Sequence, residues 1–360
     1  MEFINYMEPS YDNREIAAVT KYINTGAWLT EFKETRNFED EIAKYVNSPY
    51  ASVMANGTVT LMAALMAIGI KPGDEVIVPD FTMAATAHAV SVFGAKPVFV
   101  DVERETLCMD FERMKEAVTH NTKAVIFVDL NGRYASRFME IISFCKENAL
   151  WLIEDAAQAL GSFYQGKALG TFGDMGSYSF SMPKIITTGQ GGAIVTASKE
   201  LYDRLLQIRD FGREKAGEDH YMMVGLNFKF TDLQAVVGIE QMRKMPERVM
   251  RKKEICKKYD ARLKDMAGVE IFRNNYEDTV PCFYELLCER RDELINYLRT
   301  KNIGARKFYP PLHSEPAYKV DKSFPVTEEI SAKGLWLPSS VLLDEEKVDY
   351  ICNCIAEFME

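Results

Sequence analysis

The chain has no apolar run near the ~20 residues that cross a bilayer, so no membrane association is expected. Its start, MEFINYMEPS, lacks both a basic stretch and an apolar core, and no signal peptide is expected. Its seven cysteines contain no CxxC and no even spacing, which predicts reduced thiols in a cytoplasmic protein rather than a disulfide framework. Cys352 and Cys354 lie two apart in a helical pattern and point different ways, so no metal pair is expected there. Positive charge is in deficit: 43 Lys and Arg face 53 Asp and Glu, and the net charge of -10 argues against a nucleic-acid partner. There is no internal repeat and no low-complexity segment. No GxGxxG follows an early strand with an acidic residue downstream, which argues against a nicotinamide-dependent dehydrogenase.

What is present is a soluble, globular composition, 47% apolar and 27% charged. At 360 residues, one large domain with a smaller companion is the expected layout. From about residue 50 to 210 the short runs ASVMA, EVIVP, KPVFVDV, KAVIFVDL and LWLIEDA alternate with amphipathic helical segments. That alternation predicts an α/β domain with a mainly parallel sheet covered on both faces and ligands at the carboxyl ends of its strands. After residue 240 comes a long basic helical pattern, MRKMPERVMRKKEICKKYDARLKDM, broken near Pro246, whose charges are expected on a wet face. CFYELLC and ARKFY then read as strands around the helix RRDELINYLRTKN, a small α+β unit.

Three stretches carry chemistry. NGTVTLMAAL opens a small polar turn directly into a helix at residues 56–65, either a phosphate cradle or a plain N-cap by Asn56 or Thr58. IEDAAQALGS places Glu154 and Asp155 at the end of an apolar strand, where alternation is expected to turn one of the two carboxylates inward. A buried carboxylate needs a cation, and a protonated ring nitrogen is one; the alternative is a helix cap by Asp155. SYSFSMPKIITTGQGGAIVT strands Lys184 between two β-like runs, after Ser177, Ser179 and Ser181 and before Gly189, Gly191 and Gly192. The glycines suggest that another molecule comes close there. A phosphate site, a carboxylate for a ring nitrogen and an apolar-flanked amine are together the parts that bind pyridoxal phosphate as a Schiff base.

These stretches, with TGAWLT, IKPGDEVIVPDFTMAATAHAV, GAKPVFVDV, GLNFKFTDLQAVVGIEQ and FYPPLHSEPAY, occur in an order that resembles the DegT/DnrJ/EryC1/StrS family of sugar aminotransferases over nearly the full length. The resemblance implies fold type I pyridoxal-phosphate architecture, like aspartate aminotransferase. A large domain with an N-terminal arm would span 1–245, and a small C-terminal domain 246–360. It implies pyridoxal 5'-phosphate as cofactor, glutamate as amino donor and a nucleotide-linked keto sugar as acceptor. A 4-keto-6-deoxy hexose is favoured; a 3-keto sugar, or a non-catalytic regulatory protein of the same fold, are the alternatives. Lys184 takes the place of the lysine that bonds the cofactor and shuttles the proton. Asp155 takes that of the ring-nitrogen partner, and Gln158 that of the residue beside the ring's phenolic oxygen. Gly57, Thr58 and Ser179 correspond to phosphate ligands, and Asn227 to a phosphate ligand from the second subunit of a homodimer. Thr30, Lys229, Tyr309 and His313 fall in segments that border the sugar nucleotide.

Three positions depart from the family pattern. Met83 stands where an aromatic ring usually stacks on the cofactor; a thioether also packs on a ring face. Lys229 replaces a common arginine and forfeits a bidentate grip. Gln190 replaces the glutamate of TTGEGG. Some relatives carry histidine in place of the lysine and perform dehydration, and Lys184 argues against that branch.

Overall fold

The β-branched runs form strands β1 (Tyr50–Met54), β2 (Glu75–Pro79), β3 (Lys96–Val100), β4 (Thr122–Val128) and β5 (Trp151–Asp155) in the computed structural model, which describes residues 2–360. A small hairpin of β6 (Phe163–Tyr164) and β7 (Lys167–Ala168) follows. β8 (Met175–Ser179) and β9 (Gly192–Thr196) then complete a seven-stranded sheet in the order β1-β9-β8-β5-β4-β2-β3. From β8 to β3 every pairing is parallel, and β9 alone runs antiparallel to its neighbours β1 and β8. Both faces are covered, and the period-two alternation sorts side chains into two cores: Ile77, Val125 and Phe127 enter one, Val76, Val78, Ala124 and Ile126 the other.

This topology explains the position of Lys184. The β8–β9 ladder ends at Ser179↔Gly192, so residues 180–191 form the turn that reverses the chain at the carboxyl edge of the sheet. Ligands of parallel sheets gather at that edge.

A second sheet of β10 (Glu270–Ile271), β11 (Tyr284–Leu287), β12 (Arg306–Lys307) and β13 (Gly334–Leu337) has the order β10-β11-β13-β12 and is antiparallel throughout. Tyr259, Leu294, Leu298, Ile351 and Ile355 belong to its own core. The N-terminal arm reaches this sheet: Ile4 bridges to Ile303, and Tyr6 O accepts the Ser339 N–H at 3.1 Å. Returning the other way, the Asp101 carboxylate, directly after β3, accepts the Val326 and Thr327 N–H groups at 3.0 and 2.9 Å.

The basic helical pattern breaks at Lys244, between helices Asp232–Arg243 and Met245–Leu263, with Pro246 in the first turn of the second. Its charges do not all face water as expected. Lys244, Arg248 and Lys252, four apart and so on one face, are buried. Lys244 pairs with Glu15 at 2.6 Å, and Lys252 donates to the Ser339 carbonyl. Arg248 holds the carbonyls of Ser10 and Ile185, each at 2.7 Å, and so pins the residue next to Lys184.

Candidate active site

At the carboxyl edge a cavity of ≈ 590 Å³ opens between the large sheet and the loops of the small one. Gly57, Thr58, Met83, Asp155, Gln158, Ser179, Lys184 and Tyr309 all line it. The helix Gly57–Ala67 begins there, with Asn56 extended and its side chain accepting the Val59 N–H at 3.0 Å, so Asn56 rather than Thr58 is the cap. Such a cap leaves other first-turn N–H groups without helical acceptors, a setting that favours an anion. The start of the helix is wedged tightly. A Cβ on Gly57 would stand 3.0 Å from Ser179 Cβ, and one on Gly192 would stand 2.7 Å from the Asn56 carbonyl carbon. The close approach that requires Gly192 is therefore the chain's own backbone, not another molecule. Of the three serines, Ser179 and Ser181 line the cavity, whereas Ser177 is buried against Thr60 Oγ1 at 2.6 Å.

Both carboxylates at the end of β5 are buried, because this central strand is covered on each side. Glu154 faces away from the cavity and accepts the backbone N–H groups of Gly170, Phe172 and Gly173 at 2.8, 2.5 and 2.6 Å. Asp155 lines the cavity; Oδ2 accepts from Thr86 Oγ1 at 2.8 Å and Oδ1 from Ala157 N at 3.3 Å. No helix follows, so Asp155 caps only a turn. Burial pushes its carboxyl above the usual carboxylate range, opposed by those two bonds and by the charge of Lys184. Gln158, in the same turn, accepts from Asn131 N at 2.9 Å and donates to Tyr309 Oη at 3.2 Å. The Lys184 backbone N–H is tied to Ser181 O at 3.1 Å, while its amine makes no hydrogen bond to a described residue. Met83, 52% exposed, offers its thioether to the same space.

Four expected residues are not brought into the cavity lining. Thr30 is exposed, and its carbonyl accepts from Asp232 N at 3.4 Å. Lys229 pairs with Asp210 at 2.7 Å, and Asn227 is exposed on the same segment. That segment runs beside the cradle, since Phe228 O accepts the Ala55 N–H at 3.0 Å. His313 is buried beside the end of β2: its Nδ1 and backbone N each lie 2.7 Å from the Asp80 carboxylate. That contact ties the proline-rich loop to the end of β2 and leaves the ring out of the cavity. Conversely, Thr86 and Arg306 serve or line the site without a signal in the sequence, because their neighbours there come from distant segments.

A cradle too tight for a Cβ, a buried carboxylate facing the cavity and an amine without a partner among the described residues fit pyridoxal 5'-phosphate. The family model for the DegT/DnrJ/EryC1/StrS aminotransferases matches residues 9–356. The chain belongs to this family. Its cofactor is pyridoxal 5'-phosphate, and its activity is that of an aminotransferase. The chain is 34% identical to a GDP-perosamine synthase from Escherichia coli O157:H7 over 99% of both chains. It is 32% identical to a dTDP-4-dehydro-2,3,6-trideoxy-D-glucose 4-aminotransferase from Saccharopolyspora spinosa, over 97% of this chain and 95% of that one. Among solved structures, a DegT DnrJ EryC1 StrS aminotransferase from Brucella abortus superposes with a TM-score of 0.91 at 32% identity, covering 96% and 95% of the two chains. This aminotransferase thus has the fold type I architecture that the family resemblance implied. Among the described residues no helix is long and apolar enough to cross a membrane.

Proposed function

We propose that this aminotransferase moves the amino group of glutamate to the 4-keto carbon of a 6-deoxy sugar carried on a nucleoside diphosphate. The observation that carries the reading is the Lys184 amine, without a hydrogen-bond partner among the described residues, in one cavity with the Asp155 carboxylate and the Gly57–Thr58 cradle. The nucleotide-linked acceptor is supported by the GDP- and dTDP-sugar names of relatives alike from end to end. Pyridoxal 5'-phosphate, when bound, supplies an aldehyde that takes up and returns the amino group and a ring that withdraws electrons. Gly57, Thr58 and Ser179 would hold its phosphate, and Asp155 would keep the proton on the ring nitrogen. Gln158 would orient the ring, Met83 would cover its face, and Lys184 Nζ would carry the proton between carbon atoms. Asn227, exposed beside the cradle, would complete the phosphate site of a partner chain in a cytoplasmic homodimer. Thr30, Lys229 and Tyr309 would border the sugar nucleotide, with His313 positioning the loop that carries Tyr309. In this reading residues 1–245 form the cofactor-binding unit and 246–360 the smaller unit that closes the cavity.

The test offers the amine-loaded enzyme nucleotide-linked 4-keto and 3-keto sugars beside simple keto acids, following the cofactor's absorbance. Rapid reaction with a 4-keto sugar is expected. Turnover with keto acids and with no nucleotide sugar would remove the acceptor assignment.

A further inference from the structure

Gln158 lines the cavity with an amide whose two ends differ, one accepting and one donating. Which end meets the ligand is decided from behind, by Asn131. The Asn131 backbone N–H lies 2.9 Å from Gln158 Oε1. A backbone N–H only donates, so the end turned toward it is the carbonyl. Nε2 then points to Tyr309 Oη at 3.2 Å, with a second N–H that no described residue takes. Asn131 is 1% exposed and has a φ of 54°, the left-handed region that asparagine enters more readily than most residues. Its side chain is committed to the other sheet. Nδ2 donates to the Phe283 carbonyl at 3.0 Å, and Oδ1 accepts the Phe283 N–H at 2.7 Å. Phe283 lines the same cavity and directly precedes β11. The sheets do not need this clasp to stay together, since Arg133 pairs with Glu285 in β11 and Asp101 holds the Val326 and Thr327 N–H groups.

We infer that Asn131 is a positioning residue, clasped to Phe283 so that its N–H holds Gln158 with the donating end of the amide toward the ligand. The role rests on the proposed function only in placing an oxygen of the bound cofactor ring beside Gln158. A phenolic oxygen is held best by N–H donors and is repelled by a carbonyl, so an amide free to turn over would serve it poorly. Tyr309 extends the same polarity. Its hydroxyl accepts from Gln158 and keeps its own hydrogen to give, because burial pushes its phenol well up. Asn131, Gln158 and Tyr309 thus form one directed chain in which each group hands a hydrogen to the next. A residue needed only to shape the turn would require the left-handed backbone and nothing more. The two bonds to Phe283 exceed that requirement.

Spectral titration of the apoprotein with pyridoxal phosphate reads this role without turnover. Asn131→Gly keeps the left-handed backbone and removes the clasp, and it should weaken binding about 3- to 10-fold, near the worth of one hydrogen bond. Gln158→Ala should weaken it at least as much. The double variant should bind no worse than Gln158→Ala alone, because Asn131 acts through that amide. Losses that add in the double variant overturn the inference, since a residue that only stabilised the turn would act independently of Gln158. Native affinity in a folded Asn131→Gly protein overturns it as well. Asn131→Asp keeps the shape and the acceptor for the Phe283 N–H, should fall between wild type and the glycine variant, and takes its place in the cycle if that variant does not fold. Coupling between Asn131 and Gln158 in an enzyme that aminates no nucleotide sugar upholds the positioning role and removes the acceptor reading instead.

Discussion

Asp155→Asn should move stability and cofactor affinity in opposite directions. Without cofactor the Asp155 carboxylate is buried and receives only a good bond from Thr86 at 2.8 Å and a long one from Ala157 N at 3.3 Å. Burying a carboxylate costs several kcal/mol, and a hydrogen bond to a charged group returns about 1.5–3 kcal/mol, so a deficit of about 1–3 kcal/mol remains. Asparagine has the same shape, and the Thr86 hydroxyl can reverse its role toward it. Because the folded carboxyl is pushed up, the native chain holds a proton that the unfolded chain has released. The wild-type apoprotein should therefore lose stability as pH rises from the ordinary carboxylate range through the raised value, and the variant should not. At neutral pH the variant apoprotein should melt higher, by roughly 1–1.5 °C for each kcal/mol recovered in a chain of this length. The same change removes the anion proposed to meet the ring nitrogen. Breaking such a buried pair costs about 3–5 kcal/mol, or about 10²- to 10⁴-fold in cofactor affinity. Scanning calorimetry of the apoproteins across pH and spectral titration with pyridoxal phosphate read the two effects separately. An apoprotein destabilised together with weakened binding would make Asp155 a structural residue, and unchanged affinity would refute its pairing with the ring.

Lys184→Ala should abolish turnover and the visible absorbance of the purified enzyme, and borohydride should fix the cofactor to Lys184 in the wild type; normal transamination by the variant refutes the assignment. Gly57→Val brings side-chain atoms against Ser179, already 3.0 Å from a bare Cβ, and should weaken phosphate-containing cofactor at least tenfold by equilibrium dialysis, about 1.4 kcal/mol. Native affinity would remove Gly57 from the cradle. Mixing inactive Lys184→Ala and Asn227→Asp chains should restore about a quarter of wild-type activity, since half the dimers are mixed and each then holds one native site. No recovery in demonstrably mixed dimers would deny Asn227 a role in the partner's site.

Much of this was legible in the sequence. The β-branched runs became the strands expected of them because sheet strands covered on both faces read as near-continuous apolar stretches. The lysine-bearing turn stood out because polar punctuation between such runs falls at the carboxyl edge. What stayed hidden was pairing across long separations. Period-two alternation told that Glu154 and Asp155 face opposite ways, but not that the N–H groups of Gly170, Phe172 and Gly173 would close around Glu154. Helical spacing placed Lys244, Arg248 and Lys252 on one face, but not Glu15, Ile185 and Ser339 against it. The family resemblance set the segment of His313 beside the sugar, but nothing in the sequence paired its ring with Asp80, 233 residues away.

The distribution of paired and unpaired charge is the deeper sign of function. Where this chain buries a cation for structure, it surrounds it with acceptors of its own, as at Lys244, Arg209 and Arg133. Leaving such a group unsatisfied costs several kcal/mol, so a stable fold avoids it wherever nothing else is at stake. At the cavity the buried Asp155 carboxylate is held with only partial compensation, and the half-buried Lys184 amine beside it has no hydrogen-bond partner among the described residues. Each lack matches a group that a phosphate ester with a basic ring and an aldehyde would bring. The site is poised to be completed from outside, and the partial compensation of Asp155 tells it apart from the structural carboxylate Glu154, which holds three backbone N–H groups.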